Sequence, residues 1–242
     1  MIGVDFIKRG CFGFGFVILA SIAMAQKGDT FDQHVADYRL LMSKKVQKEV
    51  GVTEAQRKRL NDAADHERKV AEPYLMQFQQ QRKDPSTLNT DQTYLGFLMD
   101  LRNNVLAVLT PGQVKRLGEL SLQSVDVGGV LDVVVAKKIG MSVAQLTKAR
   151  AVYADGVKKS AAVFDQIKRQ VAVPYKNMRV KTQAEAKALN ERIMKDRNDA
   201  LKKKKPELDG LAKETKRKVE AVLTTKQLAA YHALQGKPFN PN

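Results

Sequence analysis

Three histidines, a single cysteine and a scatter of carboxylates are the side chains of this 242-residue chain with the types to do chemistry. His34, His66 and His232 are far apart. Asp62 and His66 stand at i, i+4, on one face of a helix, and both could touch a cation. A zinc site needs three or four protein ligands, and two do not make one. Cys11 lies in an apolar leader, so the chain beyond it holds no thiol, which excludes disulfides, thiol catalysis and zinc ribbons. Asp62, Asp65, Glu67 and Glu72 are diluted among Lys and Arg, as on a solvated helix face. No Gly-x-Ser-x-Gly elbow, HExxH, P-loop or GxGxxG is present, and Gly128-Gly129 reads as a break between units rather than a phosphate cradle. The expectation is a protein that is not an enzyme, with no catalytic, metal or cofactor residue.

The leader is residues 1–25. Lys8 and Arg9 precede an apolar stretch from Gly10 to Ala20, and Ala23-Met24-Ala25 is a small-residue cleavage site. The run from Gly10 to Ala25 is 16 residues, against the ~20 that a membrane helix requires. Cleavage after Ala25, export to the periplasm or beyond, and no transmembrane anchor thereafter are expected.

The most regular pattern is polar. Thr53…Gln56, Thr110…Gln113, Ser142…Gln145 and Thr224…Gln227 are all [Ser/Thr]-x-x-Gln with an apolar residue just before. This is a capping box: the hydroxyl accepts from the N3 backbone N–H and the Gln side chain reaches back to the N-cap N–H. Pro111 sits at N1, where a missing N–H costs nothing, and Gly51 and Gly140 suit the ends of the preceding helices. The eight cap residues are read as structural. Thr182…Glu185 is a further box.

Those caps punctuate helices. Apolar residues recur at three- and four-residue steps, longest from Val143 through Leu146, Ala149, Tyr153, Val157 and Ala161 to Met178. Gly and Pro are few and Trp is absent, which argues against a β-sandwich or barrel. The β-branched run Val130–Val135 is the one rival for a strand. Helix is expected there too, because Val135–Gln145 aligns with Val46–Gln56, 89 residues earlier.

A repeat extends beyond that match. Val108–Gln113 aligns with Val222–Gln227 and Val70–Tyr74 with Val171–Tyr175, in the same order. The expected organisation is a first helical unit at 26–126, a longer second unit at 127–236 and a flexible tail at 237–242. Aligning Pro73 with Pro174 predicts that both arms of the second helical hairpin lengthen together, by roughly 18 Å each at 1.5 Å per residue. The tips fall near Lys83 to Asp91 and near Lys181-Thr182.

Leu109-Thr110-x-x-Gln113, with its variants at Val52-Thr53, Met141-Ser142 and Leu223-Thr224, a leader and an all-helical basic chain, resembles the LTxxQ proteins, the periplasmic Spy/CpxP-like family with its zinc-resistance-associated relatives. The resemblance covers most of residues 31–236 as a tandem pair, whereas family members are usually a single, shorter unit. It implies an all-α fold of two helical-hairpin units, self-association as a dimer, and a role as an ATP-independent chaperone or an envelope-stress or metal sensor.

Charge separates the two units. Lys+Arg number 42 and Asp+Glu 26; residues 26–126 carry 15 against 14, and residues 127–242 carry 25 against 11, a net +14. The excess concentrates at Lys202, Lys203, Lys204, Lys205, Lys213, Lys216, Arg217 and Lys218, which form the candidate partner-binding surface and attract anions over a Debye length of roughly 8–10 Å. Basic residues interleaved with stacking aromatics are missing, so nucleic acid is not the expected partner. The expected partners are unfolded exported proteins or anionic envelope components. The alternative is a structural or sensory envelope protein that docks through its basic second hairpin, with metal sensing as a variant.

Overall fold

The structure, a computed structural model, describes residues 29–81, 84–176, 178 and 182–240, the side chain of Pro85 excepted. The leader at 1–25, and with it Cys11, lies outside the described residues, as do Lys83 and Lys181.

Every regular element described is helical. The α-helices are α1 (Phe31–Val35), α2 (Lys44–Val50), α3 (Glu54–Gln80), α4 (Gln92–Val108), α5 (Pro111–Val125), α6 (Val133–Lys138), α7 (Val143–Ala172), α8 (Gln183–Glu220) and α9 (Thr225–Gln235). Short 3-10 helices occupy Tyr38–Met42, Pro85–Thr90, Asp126–Leu131 and Val173–Tyr175. The valine run is therefore helical as expected. Asp132 caps it by accepting from the backbone N–H of Val134 and Val135 at 2.8 and 3.0 Å, which offsets the weak helix preference of three consecutive β-branched residues.

The chain divides into two compact units: one holds the residues through Gly129 together with those from Tyr231 onward, the other is Val130–Ala230. In the first unit α3 and α4 run antiparallel. Tyr74 packs at a tilt against Phe97 with ring centroids 5.9 Å apart, and Asn104 donates to the buried Glu67 carboxylate at 2.7 Å. The core gathers Val46, Val50, Leu60, Val105, Leu106, Leu109 and Leu117 from α2 to α5. α1 packs on α5 at Gly118, where an added Cβ would stand 2.8 Å from Val35 Cγ2, so only glycine permits that approach. The buried Arg102 guanidinium is bonded to Asp29 at 2.8 Å and to the Gln33 carbonyl at 2.5 Å, which fixes the start of the described chain to α4.

In the second unit α7 and α8 run antiparallel, with Gly156 facing Thr215 and Tyr175 bonded to Asp196. Its buried hydrophobic residues, among those described, are Val130, Leu131, Val135, Ala136, Ile139, Ala149, Val163, Ile167 and Val219.

Three expectations are corrected. The arms do not lengthen equally: α7 has 30 residues against 27 in α3, whereas α8 has 38 against 17 in α4. The cause is that Pro73 and Pro174 are not equivalent. Pro73 lies inside α3, while Pro174 sits in the 3-10 helix that closes α7. The boundary also falls elsewhere, at Gly129–Val130, and the C-terminal residues return to the first unit. Lys237–Phe239 is not a free tail. The Lys237 carbonyl accepts from Arg116 and Gln123, at 2.9 and 2.8 Å, the Phe239 N–H donates to Gln123 Oε1 at 2.9 Å, and the Phe239 ring packs on the core.

Candidate functional site

All four [Ser/Thr]-x-x-Gln boxes form. The Gln side chains accept from the N-cap N–H of Thr53, Thr110, Ser142 and Thr224 at 2.9–3.1 Å, and the hydroxyls accept from the N–H of Gln56, Gln113, Gln145 and Gln227 at 3.2–3.4 Å. Thr182 and Glu185 form a fifth box, and Thr30 with Gln33 a sixth that the sequence pattern missed because Asp29, not an apolar residue, precedes it.

The glutamines do more than cap. In the first unit Gln56 Nε2 donates to Gln113 Oε1 at 2.7 Å and Gln113 Nε2 returns a bond to Gln56 Oε1 at 3.0 Å. Each amide also donates to the carbonyl two residues before the other motif's hydroxyl residue: Gln56 to Val108 at 3.0 Å, Gln113 to Gly51 at 2.8 Å. In the second unit Gln145 and Gln227 exchange bonds of 2.9 and 3.1 Å, Gln145 donates to the Val222 carbonyl at 3.1 Å, and Gln227 to the Gly140 carbonyl at 2.7 Å. Every donor and acceptor site of each amide is used. The result is a reciprocal amide clasp at the base of each helix pair.

Gly51 and Gly140 aim the carbonyls. Both are left-handed, at φ 74° and 76°, and each closes its helix with the following N–H bonded back five residues, Val52 to Gln47 and Met141 to Ala136, both at 2.9 Å. The two clasps therefore share geometry down to the turn that feeds them. They differ in what lies between: 57 residues separate Gln56 from Gln113, and 82 separate Gln145 from Gln227.

The eight candidate partner-binding cations all lie on α8, and the structure sorts them. Lys204 pairs with Glu207, Lys205 with Asp209, Lys218 with Glu214, at 2.6–2.8 Å, and Lys216 approaches Glu220 at 4.0 Å. Lys202, Lys203, Lys213 and Arg217 are exposed. Where α7 meets α8, Asp155 pairs with Lys159 at 2.8 Å and Glu214 with Lys218. These bonds hold both carboxyls below the ordinary range, the bonded lysine being the main cause in each case. Tyr231 is buried in the first unit, where its hydroxyl donates to the Asp126 carbonyl, and burial pushes its ionisation well above the ordinary tyrosine value.

The histidines do not converge. His232 Nδ1 lies 3.0 Å from Gln235 Oε1, and among the described residues no three His, Cys, Asp or Glu side chains come together as a metal site. No helix among them is long and apolar enough to cross a membrane. Compared with known proteins, the chain matches no family model, no curated protein and no solved structure.

Proposed function

We propose that this chain is an exported, non-enzymatic binding protein of the ATP-independent chaperone type, in which the second helix pair holds unfolded chains by charge first and apolar contact second. The observation that carries the reading is the surface of that unit. It exposes Val133, Val134, Val143, Val173, Met178 and Met194, Val143 by 82% and Val173 by 72%, on the half of the chain that carries the net +14. Beside that excess of charge, these side chains offer weak apolar contacts to a flexible, unfolded partner. The LTxxQ resemblance points the same way, and the clasps supply a rigid base for such arms.

The test is aggregation suppression by the chain from Gln26, without nucleotide, against an acidic and a basic unfolded client of similar apolar content. Protection is expected near equimolar ratios, stronger for the acidic client, with the difference shrinking as salt screens the charge. Absence of protection for both clients at threefold excess would refute the reading.

A further inference from the structure

Nine of the twelve Lys and Arg residues of α8 fall into two sets that differ in what they touch; of the other three, Lys187 and Arg197 are exposed on other faces of the helix and Arg192 acts on Tyr175. Lys204, Lys205, Lys216 and Lys218 are engaged by acidic residues three or four positions away on the same helix. Lys195, Lys202, Lys203, Lys213 and Arg217 are exposed and hold no ion pair or hydrogen bond among the described residues, although Arg217 acts through space on Glu214. At 3.6 residues per turn the five lie within about 50° of one line along the helix. That line is opposite the half-buried to buried stripe Leu208, Leu211, Thr215 and Val219. From Lys195 to Arg217 it runs roughly 33 Å at 1.5 Å per residue.

The acids nearby do not cancel the row. Asp209 lies beside it and Glu220 on its line just past Arg217, but they are turned to Lys205 and Lys216. Asp199 is the carboxylate that interrupts it. Between the cations stand Pro206 and Gly210, so no large apolar side chain lies along the row. An interfacial membrane helix needs an apolar face to bury beside its cations, and this face has none. A band of free charges along one face of a continuous 38-residue helix matches a partner that is itself elongated.

We propose that this row is a track for a linear polyanion, an extended flexible polymer bearing regularly spaced phosphate or sulfate groups, laid along α8. The inference is independent of the chaperone reading, because it concerns a polymer and a face without apolar anchors.

The test uses linear inorganic polyphosphate in lengths of about 10, 20 and 40 Å, with anionic phospholipid vesicles as the comparison. Two variants of the full chain lose the same four charges. One changes the row (Lys202→Gln, Lys203→Gln, Lys213→Gln, Arg217→Gln), the other the paired set (Lys204→Gln, Lys205→Gln, Lys216→Gln, Lys218→Gln). Affinity is expected to rise with polymer length and level off once the row is spanned. The row variant should bind the longest polymer at least tenfold more weakly and the paired variant less than threefold more weakly. With each phosphate contact adding about 0.7 to the log–log salt slope, the row variant should lose nearly 3 of it. Equal losses in both variants, affinity that stops rising by the shortest polymer, or vesicles bound as tightly as polymer would each overturn the proposal. Should the row variant lose its helical circular dichroism, Lys202→Gln and Lys213→Gln singly are each expected to weaken binding about twofold, and no effect from either would overturn it equally.

Discussion

Replacing Gln227 by Ala removes one half of the second clasp, and the bonds lost can be counted. Its Nε2 donates to the Gly140 carbonyl at 2.7 Å and to Gln145 Oε1 at 3.1 Å, while its Oε1 accepts from Thr224 N–H at 2.9 Å and from Gln145 Nε2 at 2.9 Å. Four bonds at a net ~1 kcal/mol each, reduced because water reaches part of the base, give a loss of about 3 kcal/mol. Thr224→Ala removes only the bond from Gln227 N–H at 3.2 Å, and the usual N-cap loss is ~1 kcal/mol. The glutamine should therefore cost about three times the threonine in the same motif. Urea unfolding followed by circular dichroism reads this as a shift of midpoint at unchanged slope. A cycle sharpens it: Gln145→Ala and Gln227→Ala share the two inter-amide bonds, so the double variant should fall short of the sum of the singles by about 2 kcal/mol. Equal costs for Gln227→Ala and Thr224→Ala, or additivity in the cycle, would show that the glutamines are caps and nothing more.

At Gly156 an added Cβ would stand 2.1 Å from Thr215 Oγ1 and 2.7 Å from Thr215 Cγ2, so Gly156→Ala should destabilise by ~1–3 kcal/mol. Thr215→Ala on the same chain should recover part of that loss in the same urea assay. Asp29→Asn should cost ~3–5 kcal/mol, because it leaves the buried Arg102 without a counter-charge, and thermal melting of the first unit is the measurement. Asp155 should titrate below the ordinary aspartate range by nuclear magnetic resonance, and its midpoint should rise in Lys159→Gln. Since the folded value is the depressed one, its stabilising contribution is present above the ordinary carboxylate range and is lost as pH falls through the folded value.

How much of this was legible depended on the range of the interaction. The caps at Thr53, Thr110, Ser142 and Thr224 follow from local rules, because an N-cap and its N3 residue are three positions apart, whereas helix at Val133–Lys138 is legible only through the repeat, its β-branched residues reading locally as strand. The pairing of Gln56 with Gln113 spans 57 residues, and no local rule reaches that far. One signal was nevertheless present. Glu serves the N-cap N–H as well as Gln does, so Gln in these four boxes leaves an Nε2 with two donors that need acceptors, although Gln33 in the Thr30 box enters no clasp. At Thr182, where no clasp forms, the N3 residue is Glu185. Arg102 was passed over because a charged residue in a helix reads as solvated, and only the fold brings Asp29 beside it. The C-terminal residues misled for the opposite reason. Residues 237–242 read as a flexible tail, yet the bonds that hold Lys237 and Phe239 come from Arg116 and Gln123, more than a hundred residues away.

The repeated clasp explains why charge could accumulate on one helix without disturbing the fold. Closing 82 residues instead of 57 between paired glutamines costs only about 0.3 kcal/mol in loop entropy by the logarithmic rule. That is small beside the roughly 3 kcal/mol that one glutamine of the clasp contributes. The base is therefore specified residue by residue: hydroxyl, glutamine, left-handed glycine and the carbonyl two residues before the cap. The arms are specified only by an inward stripe, such as Leu208, Leu211, Thr215 and Val219 on α8, and by glycine at the closest approach, Gly156. Outward positions on α8 carry no packing duty, so Lys202, Lys203, Lys213 and Arg217 are free to vary in charge at little cost to stability. Selection on those positions acts through binding or solubility, and the unpaired row is where a binding function has room to reside.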